Sequence, residues 1–327
     1  MLYRPFGSTG LNVSALGFGC WEMGGSYGRI DESDVIAAIR KALDVGINLF
    51  DTAEAYGFGQ SERLLAKGLG SRRDEIILVS KFGIGYGGTG KTSRDSTRER
   101  MTQSIETTLT ALDTDHLDVY LVHWPDRDTP FEETMRGLED LVQQGKTRFV
   151  GVSNFKEAEV ADCMAARRVD VGQYGYSLFD RRLEAEVFQY CGEHDIAMMV
   201  YGPLAHGLLT GTFTAHTRFN EGRDWRSRGD AFNMPLFTEE NFPRNLAVVE
   251  ELKTLAAERG MAIYELALAW VLSNPVVSVA LVGARTPFEV EANMHAPEHA
   301  LSDDDKQAIE AVFSRHGVDT QPDIWID

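Results

Sequence analysis

Cysteine and basic residues are what this chain has least of, and each shortage excludes something. Three cysteines, Cys20, Cys163 and Cys191, stand in 327 residues at no paired or metal-binding spacing. So sparse and odd a set builds neither a disulfide framework nor a metal centre, and a reduced, cytoplasmic protein without metal is expected. Lys and Arg number 32 against 50 Asp and Glu, a formal charge of −18. That balance denies the basic face on which nucleic acid or an anionic membrane would rest. Long hydrophobic runs are also missing: the longest, such as 276–282, fall far short of the roughly 20 residues that cross a bilayer. The opening Met1-Leu2-Tyr3-Arg4-Pro5 lacks the apolar centre of a secretion signal. With no low-complexity stretch and no convincing linker, residues 1–327 are expected to form one domain.

What the chain does have is an alternation. Short apolar runs at 15–19, 47–50, 76–80, 117–122, 148–152, 171–174, 196–201 and 277–282 read as strands. Amphipathic stretches separate them at 62–69, 96–112, 131–144, 156–167 and 184–194. An earlier one starts at Asp31-x-Ser33 and carries Val35, Ile39, Ala42 and Leu43 on one face. Near-continuous apolar strands between such helices imply a parallel sheet covered by helices. Eight units predict an α/β fold of the closed (β/α)8 barrel type. Residues 2–14, with Gly7-Ser8-Thr9-Gly10 at their centre, predict a hairpin that closes the barrel bottom. Between strands seven and eight lie about 75 residues. The part at 211–243 is rich in Gly, Arg, Asn, Phe and Trp without helical period, and is expected to be a substrate lid. The part at 246–272 reads as two helices broken near Gly260, and the tail at 315–327, with Trp325, is expected to reach the mouth.

Three of the apolar runs end in polar residues of complementary chemistry. The second delivers Asp51, with Tyr56 five residues on; the third delivers Lys81; the fourth delivers His123. Polar residues at the C-terminal ends of successive barrel strands are where chemistry is expected. Reducing an aldehyde or ketone places negative charge on the carbonyl oxygen, which needs an acid and a fixed hydrogen-bond donor. A tyrosine titrates near about 10, and a neighbouring ammonium is expected to lower that value. Asp51 would supply the counter-charge that a buried Lys81 requires. The set closes as Tyr56 acid, Lys81 and Asp51 tuning, and His123 orienting the carbonyl.

Over essentially its full length the chain resembles an aldo-keto reductase. The matching text is L-G-F-G-C-W at 16–21, F-D-T-A-E-A-Y-G at 50–57, V-S-K-F-G at 79–83 and V-H-W-P at 122–125. It continues with G-K-T-R-F-V-G-V-S-N-F at 145–155, Q-Y-G-Y-S at 173–177, Y-G-P-L-A-H-G-L-L-T-G at 201–211 and V-G-A-R at 282–285. The resemblance implies a nicotinamide dinucleotide lying extended across the barrel mouth. It assigns Cys20 and Trp21 to that cofactor, Ser153, Asn154 and Gln173 to its carboxamide, and Tyr201 to stacking on the nicotinamide ring. Gly202, Leu204 and Gly207 fall where backbone amides approach the pyrophosphate. Gly283, Arg285 and Asn293 fall towards the adenosine end. Trp21, Tyr27 and Trp124 match the apolar substrate walls around a small carbonyl compound. The family's NADP users often carry Lys, Arg or Gln at the positions of Gly283 and Glu289. Arg285 nonetheless favours NADPH, with NADH as the alternative that Glu289 supports. A barrel of this kind that senses nicotinamide and scarcely turns over, as potassium-channel β-subunits resemble, is the rival within the fold.

A second motif points elsewhere. Gly85-Tyr86-Gly87-Gly88-Thr89-Gly90-Lys91-Thr92 satisfies the phosphate-loop pattern G-x-x-x-x-G-K-[ST] and follows a strand. It starts several residues past the strand end, however, and the next strand ends in His123 where a magnesium-holding Asp belongs. A nucleotidase would need neither Asp51 nor Tyr56. The segment is therefore expected to be a rim loop.

Overall fold

The computed structural model describes every residue except Ser26, Arg29, 87–91, 222–223 and 326–327. Lys91 and most of the glycine-rich loop thus lie outside the described residues, as does Arg223 of the expected lid. In chain order the strands are β1 (Tyr3–Pro5), β2 (Asn12–Ser14), β3 (Leu16–Gly19), β4 (Leu49–Asp51), β5 (Ile77–Phe82) and β6 (Ile84–Tyr86). They continue as β7 (Thr92–Arg94), β8 (Leu117–Val122), β9 (Thr147–Ser153), β10 (Val171–Gly175), β11 (Ala197–Tyr201) and β12 (Val277–Gly283). Eight of these close a parallel barrel in the order β10-β11-β12-β3-β4-β5-β8-β9, the (β/α)8 arrangement that the alternation predicts.

The barrel is filled by period two. Leu49, Ile77, Val79, Val119, Leu121, Val171, Ala197, Met199, Val279 and Leu281 form one buried cluster together with Phe6 and Val13. Their neighbours along the strands, such as Leu78, Tyr120, Val152, Tyr174 and Val200, belong to the larger cluster packed under the helices. Alternate side chains of a strand face opposite sides, so the inner cluster is the barrel interior. β1 and β2 pair antiparallel, Tyr3 opposite Ser14, and Phe6 and Val13, both fully buried, stopper the bottom of the barrel as expected of the hairpin. Close packing there depends on glycine: a Cβ on Gly7 would lie 2.6 Å from the Ala197 nitrogen.

The helices start where local chemistry dictates. Asp31 caps the helix Glu32–Asp44 by accepting from the Ser33 and Asp34 amides. Ser302 and Asp305 form a capping box on Asp303–His316. The connection after β11 holds a short 3-10 turn, Trp225–Arg228, then the helices Asn241–Ala257 and Ile263–Leu272. The first of these begins five residues before the expected start, since Pro243 sits in its first turn, where the missing N–H is harmless. A π-type turn, Glu184–Phe188, opens the segment read from sequence as one helix at 184–194. Among the described residues no helix is long and apolar enough to cross a membrane.

Candidate active site

The inner layer of the barrel explains where the polar residues stand. Two positions beyond an inward apolar residue, the next inward side chain emerges at the C-terminal rim. Leu49 is followed in this way by Asp51, Val79 by Lys81, Leu121 by His123, Val171 by Gln173, Met199 by Tyr201 and Leu281 by Gly283. The strand register is staggered, with Asp51 opposite Val79 and Lys81 opposite Leu121, so Lys81 and His123 each stand one inward step beyond the polar residue on the strand before. Tyr56 arrives differently, on the turn after β4. Gly24 makes room for it, since a Cβ there would meet the Gly57 nitrogen at 2.9 Å.

Lys81 is fully buried and its Nζ donates to Asp51 Oδ2 at 2.7 Å, to the Thr52 carbonyl at 2.8 Å and to the Tyr56 hydroxyl at 3.2 Å. Burial pulls Lys81 down and pushes Asp51 up, and each charge opposes the shift of the other. With three acceptors around the ammonium and two donors on the carboxylate, the pair is held ionised. The second donor is Gln173, whose Nε2 reaches Asp51 Oδ1 at 2.7 Å. Burial raises the Tyr56 phenol well above its ordinary value, and Asp51 adds to the rise. This differs from the sequence expectation of a depressed tyrosine, because burial disfavours the phenolate and the Asp51 charge adds to that rise. Tyr56 therefore keeps its proton at rest. The His123 ring stands edge-on to Tyr56 with centroids 5.6 Å apart. Burial, then Lys81, hold its pKa well below the ordinary histidine value, so the imidazole is neutral. Among the described residues its buried Nδ1 has no hydrogen-bond partner.

One cavity of about 590 Å3 runs from these groups along the rim, within the range of small-molecule sites. Its lining includes Trp21, Tyr27, Trp124, Ser153, Asn154, Gln173, Tyr201, Gly202, Leu204, Gly207, Gly283, Arg285 and Asn293, each expected from the sequence. Cys20 is the exception. Its side chain is fully buried outside the lining, its N–H donates to the Asp51 carbonyl and its own carbonyl accepts from Ser61. The carboxamide candidates are already interlinked: Tyr201 donates to Asn154 Oδ1 at 2.9 Å, and Asn154 Nδ2 donates to Ser153 Oγ and to the His123 carbonyl. Gly202 and Gly207 have positive φ of 65° and 100°. The Gly207 N–H donates to Leu204, so what this glycine supplies is clearance.

Arg285 and Glu289, read from sequence as opposing signals, are partners. Glu289 accepts from the Arg285 amide at 2.7 Å and from its guanidinium at 3.0 Å. The guanidinium is thus engaged before any phosphate arrives.

The roof of the cavity comes from segments that sequence reading could name only loosely. Phe232 lies within 6.2 Å, centroid to centroid, of Trp21, Trp124, Tyr201, His206 and Trp225. Phe232 and Asn233 both hold positive φ, 49° and 66°, inside a tight turn in which Ala231 and Met234 exchange two hydrogen bonds. Such a conformation is costly for phenylalanine and needs support. Arg182, with 3% of its side chain exposed, gives it by donating to the Phe232 carbonyl and to Ile324 of the tail. Asn233 in turn donates to the Trp325 carbonyl, so the tail packs against this roof turn, although no described tail residue lines the cavity itself. Arg226 forks onto Asp224, donates to the His206 carbonyl and lies over the rings of Tyr27, Phe213 and Phe219. His206 receives the Tyr27 hydroxyl at 3.3 Å on Nδ1, and burial lowers its pKa to about 3. The motif Y-G-P-L-A-H-G contains His206, but no spacing assigns it a role. Glu22, also in the lining, carried no signal in the sequence.

The residues fit an extended dinucleotide: the groove continues from Tyr56 past Gly283 to Asn293, with glycines where a backbone must be approached closely. The comparisons agree with the geometry. The profile of the Aldo/keto reductase family matches residues 15–313. An aldo-keto reductase of Bacillus subtilis (strain 168) is 37% identical over 96% of this chain and 94% of its own. An NADH-specific methylglyoxal reductase of Escherichia coli (strain K12) is 32% identical over 92% and 95%. The solved structure of a glycerol dehydrogenase from Gluconobacter oxydans superposes with a TM-score of 0.88 at 32% identity, covering 99% of both chains. A closed parallel barrel, an Asp–Lys–Tyr–His cluster at its C-terminal rim and this agreement along nearly the whole sequence lead to one statement: the chain belongs to the aldo/keto reductase family.

Proposed function

We propose that this protein reduces small aldehydes and ketones with a reduced nicotinamide dinucleotide, and that NADH is the preferred form. The reading is carried by one observation: the Tyr56 hydroxyl, the buried Lys81 Nζ and the His123 ring converge at the same end of the cavity. The bound dinucleotide would supply the hydride. Tyr56 and His123 then hold the carbonyl oxygen between two donors, which polarises it and fixes its distance. As negative charge grows on that oxygen, Tyr56 gives its proton, and the phenolate left behind accepts from Lys81. Asp51 keeps Lys81 charged throughout, and Gln173 holds Asp51 in place. The aromatic roof excludes water from the reacting atoms.

For the cofactor, the Arg285–Glu289 pair argues for NADH. A 2′-phosphate would have to break that pair and sit beside a carboxylate, whereas a free ribose hydroxyl could donate to it. The NADH-specific relative supports the same choice. The test is a steady-state assay with methylglyoxal and a set of neutral aldehydes, following oxidation of NADH and NADPH separately. Turnover with NADH, with kcat/KM at least about tenfold above that with NADPH, is expected, and Tyr56→Phe should lose about 100-fold to 10,000-fold in kcat. Binding of dinucleotide without turnover of any aldehyde would replace the reductase by a nicotinamide-sensing barrel. Equal use of both cofactors would remove the preference alone.

A further inference from the structure

Glu22 stands on the turn Trp21–Gly24 after β3 and leans across the groove onto the end of β12. Its carboxyl covers Gly283 so closely that a Cβ built there would lie 2.1 Å from Glu22 Cδ and Oε1. Gly283 and Glu22 therefore belong together: the glycine is the vacancy into which the acid reaches. Both line the cavity between the Asp51–Tyr201 end and the Arg285–Asn293 end. A dinucleotide spanning those ends, with its phosphates towards Gly202–Gly207, passes this carboxyl, because Arg226 faces both Glu22 and Gly207. No ion pair holds Glu22 among the described residues; the charges facing it are Arg285 and Glu289 after β12 and Arg226 in the roof, with Tyr27, Tyr56 and Cys20 close by. The two arginines are engaged with Glu289 and Asp224.

We propose that Glu22 is a cofactor-contacting residue that must be protonated for the dinucleotide to seat, its carboxyl then donating a hydrogen bond to a cofactor oxygen. A carboxylate at that position would repel the pyrophosphate across a partly desolvated groove. A neutral carboxyl turns the same group into a donor. The fold prepares the neutral state: burial raises Glu22 from 4.5 to about 7 against the opposing pull of its own backbone N–H, Arg285 and Arg226, and Glu289 adds to the rise. Binding then takes up a proton. This rests on the reading of the cavity as a dinucleotide groove, and refines it by assigning a residue outside the family motifs.

If only the protonated form binds, the apparent Kd scales inversely with its fraction. For NADH it should then rise about fiftyfold between about pH 7 and pH 9. NADH is the probe because it lacks the 2′-phosphate, whose own titration near about pH 6 would confuse the profile. The experiment is fluorescence titration of the full-length protein with NADH from about pH 6 to about pH 9, for wild type, Glu22→Gln and Tyr56→Phe. The expected result is a steep profile for wild type and Tyr56→Phe, and for Glu22→Gln a Kd within about twofold of its neutral-pH value throughout. A flat wild-type profile, or an unchanged slope in Glu22→Gln, overturns the proposal. Failure of all three proteins to bind NADH at any pH would instead remove the dinucleotide reading itself.

Discussion

The rim of the barrel and the roof above it reach the same cavity by different physics. At the rim, Asp51, Lys81, His123, Gln173 and Tyr201 are each two residues beyond an inward apolar side chain. Pleat and register alone aim them inward, and their level is set by backbone hydrogen bonds. In the roof, Phe232, Trp225 and His206 occupy irregular chain, with left-handed backbone at His206, Phe232 and Asn233. Their positions depend on Arg182, Arg226 and stacked rings drawn from segments far apart in sequence. Reaction chemistry is thus placed by topology, and the shape of the substrate space by side-chain packing. A perturbation at the rim should therefore be severe and independent of substrate, whereas one in the roof should be milder and should depend on substrate size.

The largest effect is expected from Asp51→Asn. It leaves the fully buried Lys81 ammonium beside a neutral amide. Removing one partner of a buried pair costs about 3–5 kcal/mol. Urea denaturation should show a loss of that order, and turnover should fall for every aldehyde alike. The double variant Asp51→Asn/Lys81→Met removes both charges and should recover most of the stability while recovering none of the activity. Equal stability of Asp51→Asn and wild type would show that Lys81 is not charged in the folded protein.

Phe232→Ala should discriminate between substrates. Removing this ring opens the roof over Tyr201 and Trp124. A loss of about 1–3 kcal/mol of apolar contact makes roughly tenfold lower kcat/KM reasonable for a small aldehyde, with a smaller loss or a gain for a bulky one. Arg182→Met leaves the ring in place but removes the donors to Phe232 and Ile324. It should shift the same selectivity ratio in the same direction by less. A uniform loss across substrates in both variants would mean that the roof contributes only to folding.

The same contrast explains what could be read from sequence. The barrel was legible because period-two burial and helical amphipathicity are local patterns, and strand ends follow from them. Asp51, Lys81 and His123 were legible because each directly ends an apolar run. The side-chain direction of Cys20 is not legible from its motif: its neighbour Trp21 faces the cavity while Cys20, one residue earlier, faces the core. The engagement of Arg285 with Glu289 was missed, although their spacing of four across a helix start permits it. Glu22 and Arg182 carry no signal in the sequence, and Phe232 is legible only as one aromatic of the lid, because their meaning lies in contacts with Gly283, Ile324 and Trp21 that no local pattern encodes.

Acid provides a smaller, graded probe of the roof. His206 titrates near 6.5 when unfolded and near 3 when folded. Between those values the unfolded chain binds the additional proton, so the stability due to neutral His206 is complete above about pH 6.5 and declines as pH falls towards about 3. The decline is about 1.4 kcal/mol per pH unit within that window. His206→Phe keeps a ring in the stack and cannot titrate. Its unfolding free energy should fall less steeply with acid than that of the wild type, by that increment, although its stability at neutral pH is lower for want of the Tyr27 hydrogen bond. Parallel slopes would place the His206 ring in water rather than under Trp225.

The smallest expected effect concerns Lys91, the residue that would hold phosphates in a nucleotidase. The rim hairpin that frames its loop, β6 paired with β7, lies after β5, and the Lys81 ammonium from that strand is already committed to Asp51 and Tyr56. A phosphate loop uses the backbone directly at a strand end to cradle its ligand, but here that strand end is occupied by the Asp51–Lys81–Tyr56 cluster. Lys91→Ala should accordingly leave kcat/KM for aldehyde reduction within about twofold of wild type. The purified protein should release no phosphate from ATP or GTP, and the variant should not differ. Loss of aldehyde reduction in Lys91→Ala would draw the loop into the cofactor groove, and the division between a rim that reacts and loops that select would then have to include a third strand-end segment with a part in binding.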